Sequence, residues 1–458
     1  MYKAYVTTLK NVRPHPNADR LQLGDCFGNT VCVDLSYTEG QIGVYFPTDG
    51  QLSVEFAEAN NLLSKKDEAG NNCGGYMDAS KRNVCAIRLR GEKSDGLFLP
   101  LKSLEQFGDV STLREGDTID VFNGHQICQK YIPRTNHRSG SVSGNKTRKK
   151  KVNIAPLFTE HADTEQLAYN LSAFKPGDEI EITLKMHGTS QRTGYLPVFK
   201  GYKRTFVDWL LRRDGKPVYD WGYVSGTRRT VLENYDGGYY GSNEFREQHS
   251  KTFEGKLWKG ETVYYEVVGF THTGVPIMAE GKNEKLGKDF VKQYGKTTTF
   301  SYGCESDGYV GEAPKVTDAH GVELIKFDFR PQSDIYVYRM TMTNEDGAVV
   351  EYSPDFMRYR CEQMGVKCVP LLDKFVVPGG DPRFATAGDW VKNRAEKSYD
   401  GPDPIGKTHV REGVVVRILN RPKFTAYKHK NFSFKVLEGI IKDTAAAPDM
   451  EEAQEVEN

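Results

Sequence analysis

The chain predicts an α+β fold in two parts, a small N-terminal β-barrel followed by a larger domain that mixes strands and helices. Three observations lead there. Short alternating runs, separated by glycine and aspartate turns, crowd residues 1 to about 130. A strongly polar stretch then interrupts the chain at 134–151, and beyond 152 strand-like runs alternate with helical ones.

The N-terminal strands are read at Lys3 to Leu9, Val31 to Leu35, Gln41 to Phe46, Val84 to Leu89, Gly96 to Pro100 and Asp117 to Phe122. Strands this close, with one or two short helical pieces between them, suit a small barrel. The run His15-Pro-Asn-Ala-Asp-Arg-Leu21 resembles the opening turn of OB-type tRNA-binding domains. Arg88-Leu-Arg90-Gly91, followed by Ser94-Asp-Gly96-Leu97, resembles a loop and strand of the same barrel. Residues 1–133 are therefore expected to be an OB-type nucleic-acid-binding domain.

Residues 134–151 are rich in Ser, Gly, Asn, Lys and Arg and almost free of apolar side chains, so they predict a basic flexible linker. Residues 152–443 form the second domain. Thr164 predicts an N-cap for a helix over Glu165 to Leu171, and Asp355 to Gly365 predicts a helix closed by glycine. Strands are expected at Glu179 to Leu184, Thr262 to Val268, Asp334 to Thr341 and Val410 to Leu419. The acidic stretch 444–458 has no apolar periodicity and predicts a disordered tail.

Composition narrows the class. A chain of 458 residues, 38% hydrophobic and 27% charged, can bury a sizeable core. Its net charge of zero argues against a uniformly basic coat but leaves room for a local basic face. The eight cysteines form no Cys-x-x-Cys pair, which predicts free thiols, a reducing compartment and no zinc site. No signal-like apolar segment opens the sequence and no stretch is long enough to span a bilayer, so a cytoplasmic location and no membrane partner are expected, host cytoplasm if the origin is viral.

The chemistry centres on Glu181-Ile-Thr-Leu-Lys185-Met186-His187-Gly188, where a lysine ends an alternating run just before a glycine turn. Glu412-Gly-Val-Val-Val-Arg417 opens a second alternating run, and sixteen residues after Glu412 comes Lys428, followed by Lys430 on the same strand face. Tyr264-Tyr-Glu266 lies on a predicted strand, as do Tyr336 and Tyr338, two residues apart. Taken singly, each could be a surface cation, a salt-bridge partner or a core ring.

In order and type these segments resemble the signatures of the covalent nucleotidyltransferases, the superfamily of ATP-dependent ligases and capping enzymes. His187, where other ligases have aspartate, and the barrel placed before the nucleotidyltransferase domain look most like an ATP-dependent RNA ligase of the nick-sealing family. The resemblance implies an adenylyltransferase, ATP-grasp-like ligase domain built on antiparallel sheets. It implies Lys185 as the nucleophile that takes AMP from ATP, with Gly188 letting the backbone pass close to the nucleotide. Glu412 and Glu266 would bind Mg²⁺ or Mn²⁺, partly through water, and Lys428 and Lys430 would neutralise the phosphates. Tyr336 or Tyr338 would stack the adenine, Arg192 and Arg228 would meet ribose or 5′-phosphate, and Gln166 would read the adenine edge. The expected partner is RNA, or an RNA-containing duplex, with 3′-hydroxyl and 5′-phosphate ends. A DNA ligase, a capping-type enzyme, or an RNA-binding OB protein with an inactive second domain are the alternatives.

Overall fold

The computed structural model describes residues 2–66, 70, 73–132, 152–162, 164–211, 215–235, 240, 242–312, 316–317, 320–321, 323–324 and 327–443. The predicted linker and acidic tail lie outside the described residues. Seven α-helices are present among them: α1 (Val54–Ala59), α2 (Phe206–Leu210), α3 (Glu244–Lys251), α4 (Lys288–Tyr294), α5 (Pro354–Met364), α6 (Ala387–Glu396) and α7 (Phe432–Asp443). The chain divides into two compact units, one of residues up to 132 with 431–443, the other of 152–430. No helix among the described residues is long and apolar enough to cross a membrane.

In the first unit, β1 (Ala4–Thr8), β2 (Ile42–Phe46), β3 (Leu97–Pro100) and β4 (Thr118–Ile119) form an antiparallel sheet in the order β3-β2-β1-β4. Val6, Val44, Phe46, Leu99 and Ile119 alternate onto one core with Phe56 of α1. The remaining strands make separate two- and three-stranded sheets, and no sheet among the described residues closes into the predicted barrel. The two segments that suggested it do meet. His15 Nε2 lies 3.1 Å from the Leu89 carbonyl, and Asn17 donates to the carbonyl of Arg90 at 3.0 Å.

Helix α7, which the sequence does not predict and whose residues fall within the expected 152–443 domain, belongs to this first unit. Arg88 and Lys93 lie over the Phe432 ring at 5.6 and 5.2 Å, and Lys435 pairs with Asp95 at 2.7 Å.

The second unit holds two main sheets. The first comprises β5 (Glu165–Gln166), β6 (Glu179–Lys185), β12 (Leu371–Val376), β13 (Gly413–Ile418) and β14 (Thr425–Lys430), ordered β5-β14-β13-β6-β12. Ile180, Ile182, Val414, Val416 and Ile418 face Phe174, Val391 and Ala395 of its core. The alternate residues, including Lys185 and Lys430, fall on the opposite face.

The second sheet comprises β7 (Thr189–Lys203), β8 (Lys216–Gly226), β9 (Glu261–Gly269), β10 (Ser333–Thr343) and β11 (Val349–Glu351), ordered β8-β7-β9-β10-β11, with Lys367–Cys368 pairing parallel to β10. Val263, Tyr265, Val267, Ile335 and Val337 cover Phe245 of α3 and Met357 of α5. Its other face carries Ser190, Glu266 and Tyr336, which stand opposite one another across β7, β9 and β10. The fold is thus mixed α and β with antiparallel sheets.

The helix expected from Thr164 does not form. Glu165–Gln166 joins the sheet edge, and two 3₁₀ turns, Leu167–Tyr169 and Leu171–Ala173, follow. The Asn170 side chain donates to the Gln166 carbonyl at 2.8 Å, a local bond that competes with helix continuation. The helix expected at 355–365 is present as α5, capped at its start by Ser353, whose side chain accepts from the Phe356 amide, and closed by Gly365 in the left-handed region.

Candidate active site

Strand pairing gathers the predicted residues. Lys185, the last residue of β6, pairs with Gly413 of β13, and Gly413 pairs in turn with Lys430 of β14. Gly413 has φ +147°, and a Cβ there would fall 2.1 Å from the His429 carbonyl, so only glycine lets the strands close at this point. Glu412 precedes it and is 2% exposed.

Two lysines and a histidine surround that carboxylate. Lys185 Nζ lies 2.7 Å from Glu412 Oε1, Lys430 Nζ lies 3.6 Å from the same oxygen, and His187 Nδ1 is 3.7 Å from Oε2. Burial makes such a carboxylate costly unless compensated, and the two lysines compensate it. Lys428 sits one register step away, beside Val415 of β13 and Gln166 of β5. Its face is that of Lys185, because residues two apart on a strand share a side. His429 points the other way, stacked on Tyr399 at 4.8 Å.

The turn after Lys185 is fixed from the second sheet. The Gly188 amide donates to Glu266 Oε1 at 3.1 Å, and the His187 amide donates to the Tyr302 hydroxyl at 2.7 Å. A Cβ on Gly188 would lie 2.4 Å from the Val267 carbonyl and 2.9 Å from Glu266 Cγ. The glycine is therefore required for packing against β9, a different reason from the nucleotide approach expected. Arg246 of α3, unsuspected from the sequence, is 1% exposed and binds the next two residues through the Ser190 carbonyl at 3.1 Å and Thr189 Oγ1 at 2.5 Å.

Tyr338 and Tyr336 lie near this turn in different settings. The Tyr338 hydroxyl is 2.9 Å from Ser190 Oγ, and its ring meets His161 edge-on at 5.0 Å. Tyr336 is buried, with the Lys367 ammonium 5.7 Å from its ring centre. His161 also contacts Tyr264 and Phe424, and Arg339, held by Glu351, reaches its Nδ1 at 3.3 Å. Burial, reinforced by Arg339, Arg228 and Arg192, pushes the His161 imidazole well below its usual range, and Arg339, which can only donate, makes Nδ1 the acceptor of their bond.

Arg192 corrects the expectation that it meets ribose or phosphate. It is 1% exposed and its guanidinium donates to the carbonyls of Thr227 at 3.0 Å, Phe158 at 3.0 Å and Arg229 at 3.3 Å. The same group lies 4.2 Å over the Phe158 ring. These bonds bind β7 to the 227–229 turn, which carries the half-buried Arg228. No group of three or more His, Cys, Asp or Glu side chains gathers as a metal cage among the described residues. All eight cysteines are free.

No protein-family model and no curated protein matches the chain. Solved structures do. A lysine-to-methionine variant of the Naegleria gruberi RNA ligase with AMP and Mn aligns with a TM-score of 0.54 and 16% identity, over 94% of this chain and 97% of that one. The same ligase with PPi gives a TM-score of 0.52 at 17% identity, covering 94% of this chain and 97% of that chain. A lysine-to-alanine variant with ATP and Mn gives 0.53 at 16%, covering 94% and 98%. Over nearly its whole length the chain has the fold of these RNA ligases.

Proposed function

We propose that the protein is an ATP-dependent RNA ligase that joins 3′-hydroxyl and 5′-phosphate ends through a lysyl-AMP on Lys185. The observation that carries this reading is the convergence of Lys185, Lys430 and His187 on one buried carboxylate, Glu412, at the aligned ends of three strands. The shared fold with RNA ligases solved with ATP, AMP and PPi supports it.

An amine attacks phosphorus only as the free base, although an ordinary lysine gives up its proton at about pH 10. Lys185 has Glu412 Oε1 at 2.7 Å to orient it and to accept its hydrogen bond. As the bond from nitrogen to the α-phosphorus of ATP forms, the bond to the bridging oxygen breaks and pyrophosphate leaves with that electron pair. The nitrogen sheds one proton before attack and one after. AMP then passes to the oxygen of an RNA 5′-phosphate, which regenerates the Lys185 amine. The 3′-hydroxyl, giving up its proton, then attacks the phosphorus of the RNA 5′-phosphate, and the bond from that phosphorus to the bridging oxygen breaks as AMP leaves with the electron pair. Lys428 and Lys430 place fixed positive charge where the phosphates gain negative charge.

A divalent cation fits the residues present. Glu412 Oε2 is buried without a hydrogen-bond partner among the described residues, and a hydrated Mg²⁺ or Mn²⁺ needs few protein oxygens. Glu412 and Glu266 would hold it, and when bound it would neutralise charge on the phosphate oxygens. Tyr338 or Tyr336 offers the adenine a ring beside the turn. The N-terminal unit is read as an OB-type domain that holds a duplex at its nick, from the meeting of the His15 and Arg88 segments.

Incubation with α-labelled ATP and Mg²⁺ tests the reading. Label should remain on the protein through denaturation, and Lys185→Met should remove it. Persistent label in that variant would overturn the assignment.

A further inference from the structure

Strands β7 and β8 form a long antiparallel hairpin whose far end, beyond Gly201 and Val218, plays no part in the site described above. Helix α2 lies there. Its start is built firmly: Thr205 accepts from the Asp208 amide while Asp208 accepts from the Thr205 amide, a reciprocal cap. Yet this short helix buries none of its residues. Phe206 is 75% exposed, Trp209 66% and Leu210 65%, with Val207 and Leu211 also open. Exposed apolar side chains clustered this closely mark a contact surface.

The charge around them identifies the occupant. Lys200, Lys203, Arg204 and Lys216 are all exposed, against a single carboxylate among the described residues of 200–216, Asp208, which the cap already engages. The whole chain nets zero, so this excess is local. Lys203 pairs directly with Lys216 across the two strands. Like charges in that position destabilise a hairpin, and a bound polyanion relieves them. Aromatic rings interleave with the cations: Phe206 and Trp209 lie 5.7 Å apart, tilted by 30°, and Tyr202, exposed on β7, precedes Lys203. Cations that track a backbone, with rings that accept any base, are what single-stranded nucleic acid requires.

We propose that the tip of the β7–β8 hairpin is a binding site for unpaired RNA, with Phe206 and Trp209 as the stacking platform and Lys203, Arg204 and Lys216 as phosphate contacts. The site deepens the ligase reading and rests on it for the choice of RNA. It would grip a strand that flanks the break.

The test uses the full chain and a fluorescent 5′-phosphorylated single-stranded RNA. Phe206→Ala with Trp209→Ala should weaken binding about 10- to 100-fold. Lys203→Glu with Lys216→Glu should flatten the fall of affinity with salt. Both pairs should keep labelling of Lys185 from ATP. Trp209→Phe should bind like the parent while losing the tryptophan quenching that RNA causes. Unchanged affinity and salt slope in the two double variants, with a parent that binds RNA, would overturn the site and leave the ligase reading intact. Normal RNA binding with lost sedimentation on anionic vesicles, or with a dimer turned to monomer, would also overturn it, in favour of a lipid surface or a second copy. A parent never labelled by ATP, whose RNA binding still depends on these residues, would remove the ligase reading and keep the site.

Discussion

Lys185 and Lys430 address the same oxygen of Glu412, at 2.7 and 3.6 Å, so one buried negative charge holds two ammonium groups together. Glu412→Gln keeps the shape and removes the charge. Labelling from ATP should fall by about 100-fold or more. The melting temperature should drop by about 5 °C, because Lys185 is partly open to solvent and can rehydrate while the more buried Lys430 loses a partner. A variant that is unfolded at the assay temperature would assign Glu412 to stability instead.

Gly188→Ala tests why that glycine is there. The new methyl group would meet the Val267 carbonyl at 2.4 Å and disturb the amide bond to Glu266. Overpacking of this kind costs about 1–3 kcal/mol. Thermal unfolding without nucleotide should show the loss. If the melting temperature is unchanged and only the KM for ATP rises, the glycine serves the nucleotide after all.

Arg192→Lys removes a planar donor that serves three carbonyls and lies over Phe158. A lysine cannot reproduce that geometry. Chemical denaturation should show a loss of about 2–4 kcal/mol, with the KM for ATP in the folded protein little changed. The reverse pattern would return Arg192 to the ligand.

His249 supplies a pH dependence. Burial, aided by Arg246 and opposed by Asp334, brings its imidazole from the ordinary 6.5 down to about 4. Between these values the unfolded chain binds a proton that the folded chain refuses. Stability is therefore complete above pH 6.5 and declines as the pH falls toward 4, by about 3 kcal/mol from this group. Denaturation midpoints measured across that range should follow this slope, and His249→Gln should make it shallower. His161 is shifted in the same direction and adds to the decline. An equal slope in parent and variant would show that His249 is not the source.

Lys185, Glu412 and Lys430 were legible because each stands at the end of an alternating run, where strand periodicity fixes both face and position. The sheet order that brings them together was not, since pairing between β6, β13 and β14 depends on distant segments. Arg192 misled because a signature position says nothing about burial. Its three acceptors come from turns far along the chain. Arg246 carried no local signal for the same reason. The segment from Thr164 had a capping residue and helix-forming neighbours, yet edge pairing with β14 and the Asn170 side chain outweighed them. Helix α6 could have been found, as Thr386 and Asp389 stand three apart in a capping box.

Helix α7 has a consequence for how the gene can be cut. Because it belongs with the opening strands, the unit that bears Lys185 is an insert within the other, entered after 132 and left at 430. A fragment ending near 133 would strip Arg88, Lys93 and Asp95 of the partners that Phe432 and Lys435 provide. The first unit is therefore encoded in two pieces, residues up to 132 and 431–443, and a truncation on either side of the insert removes one of them.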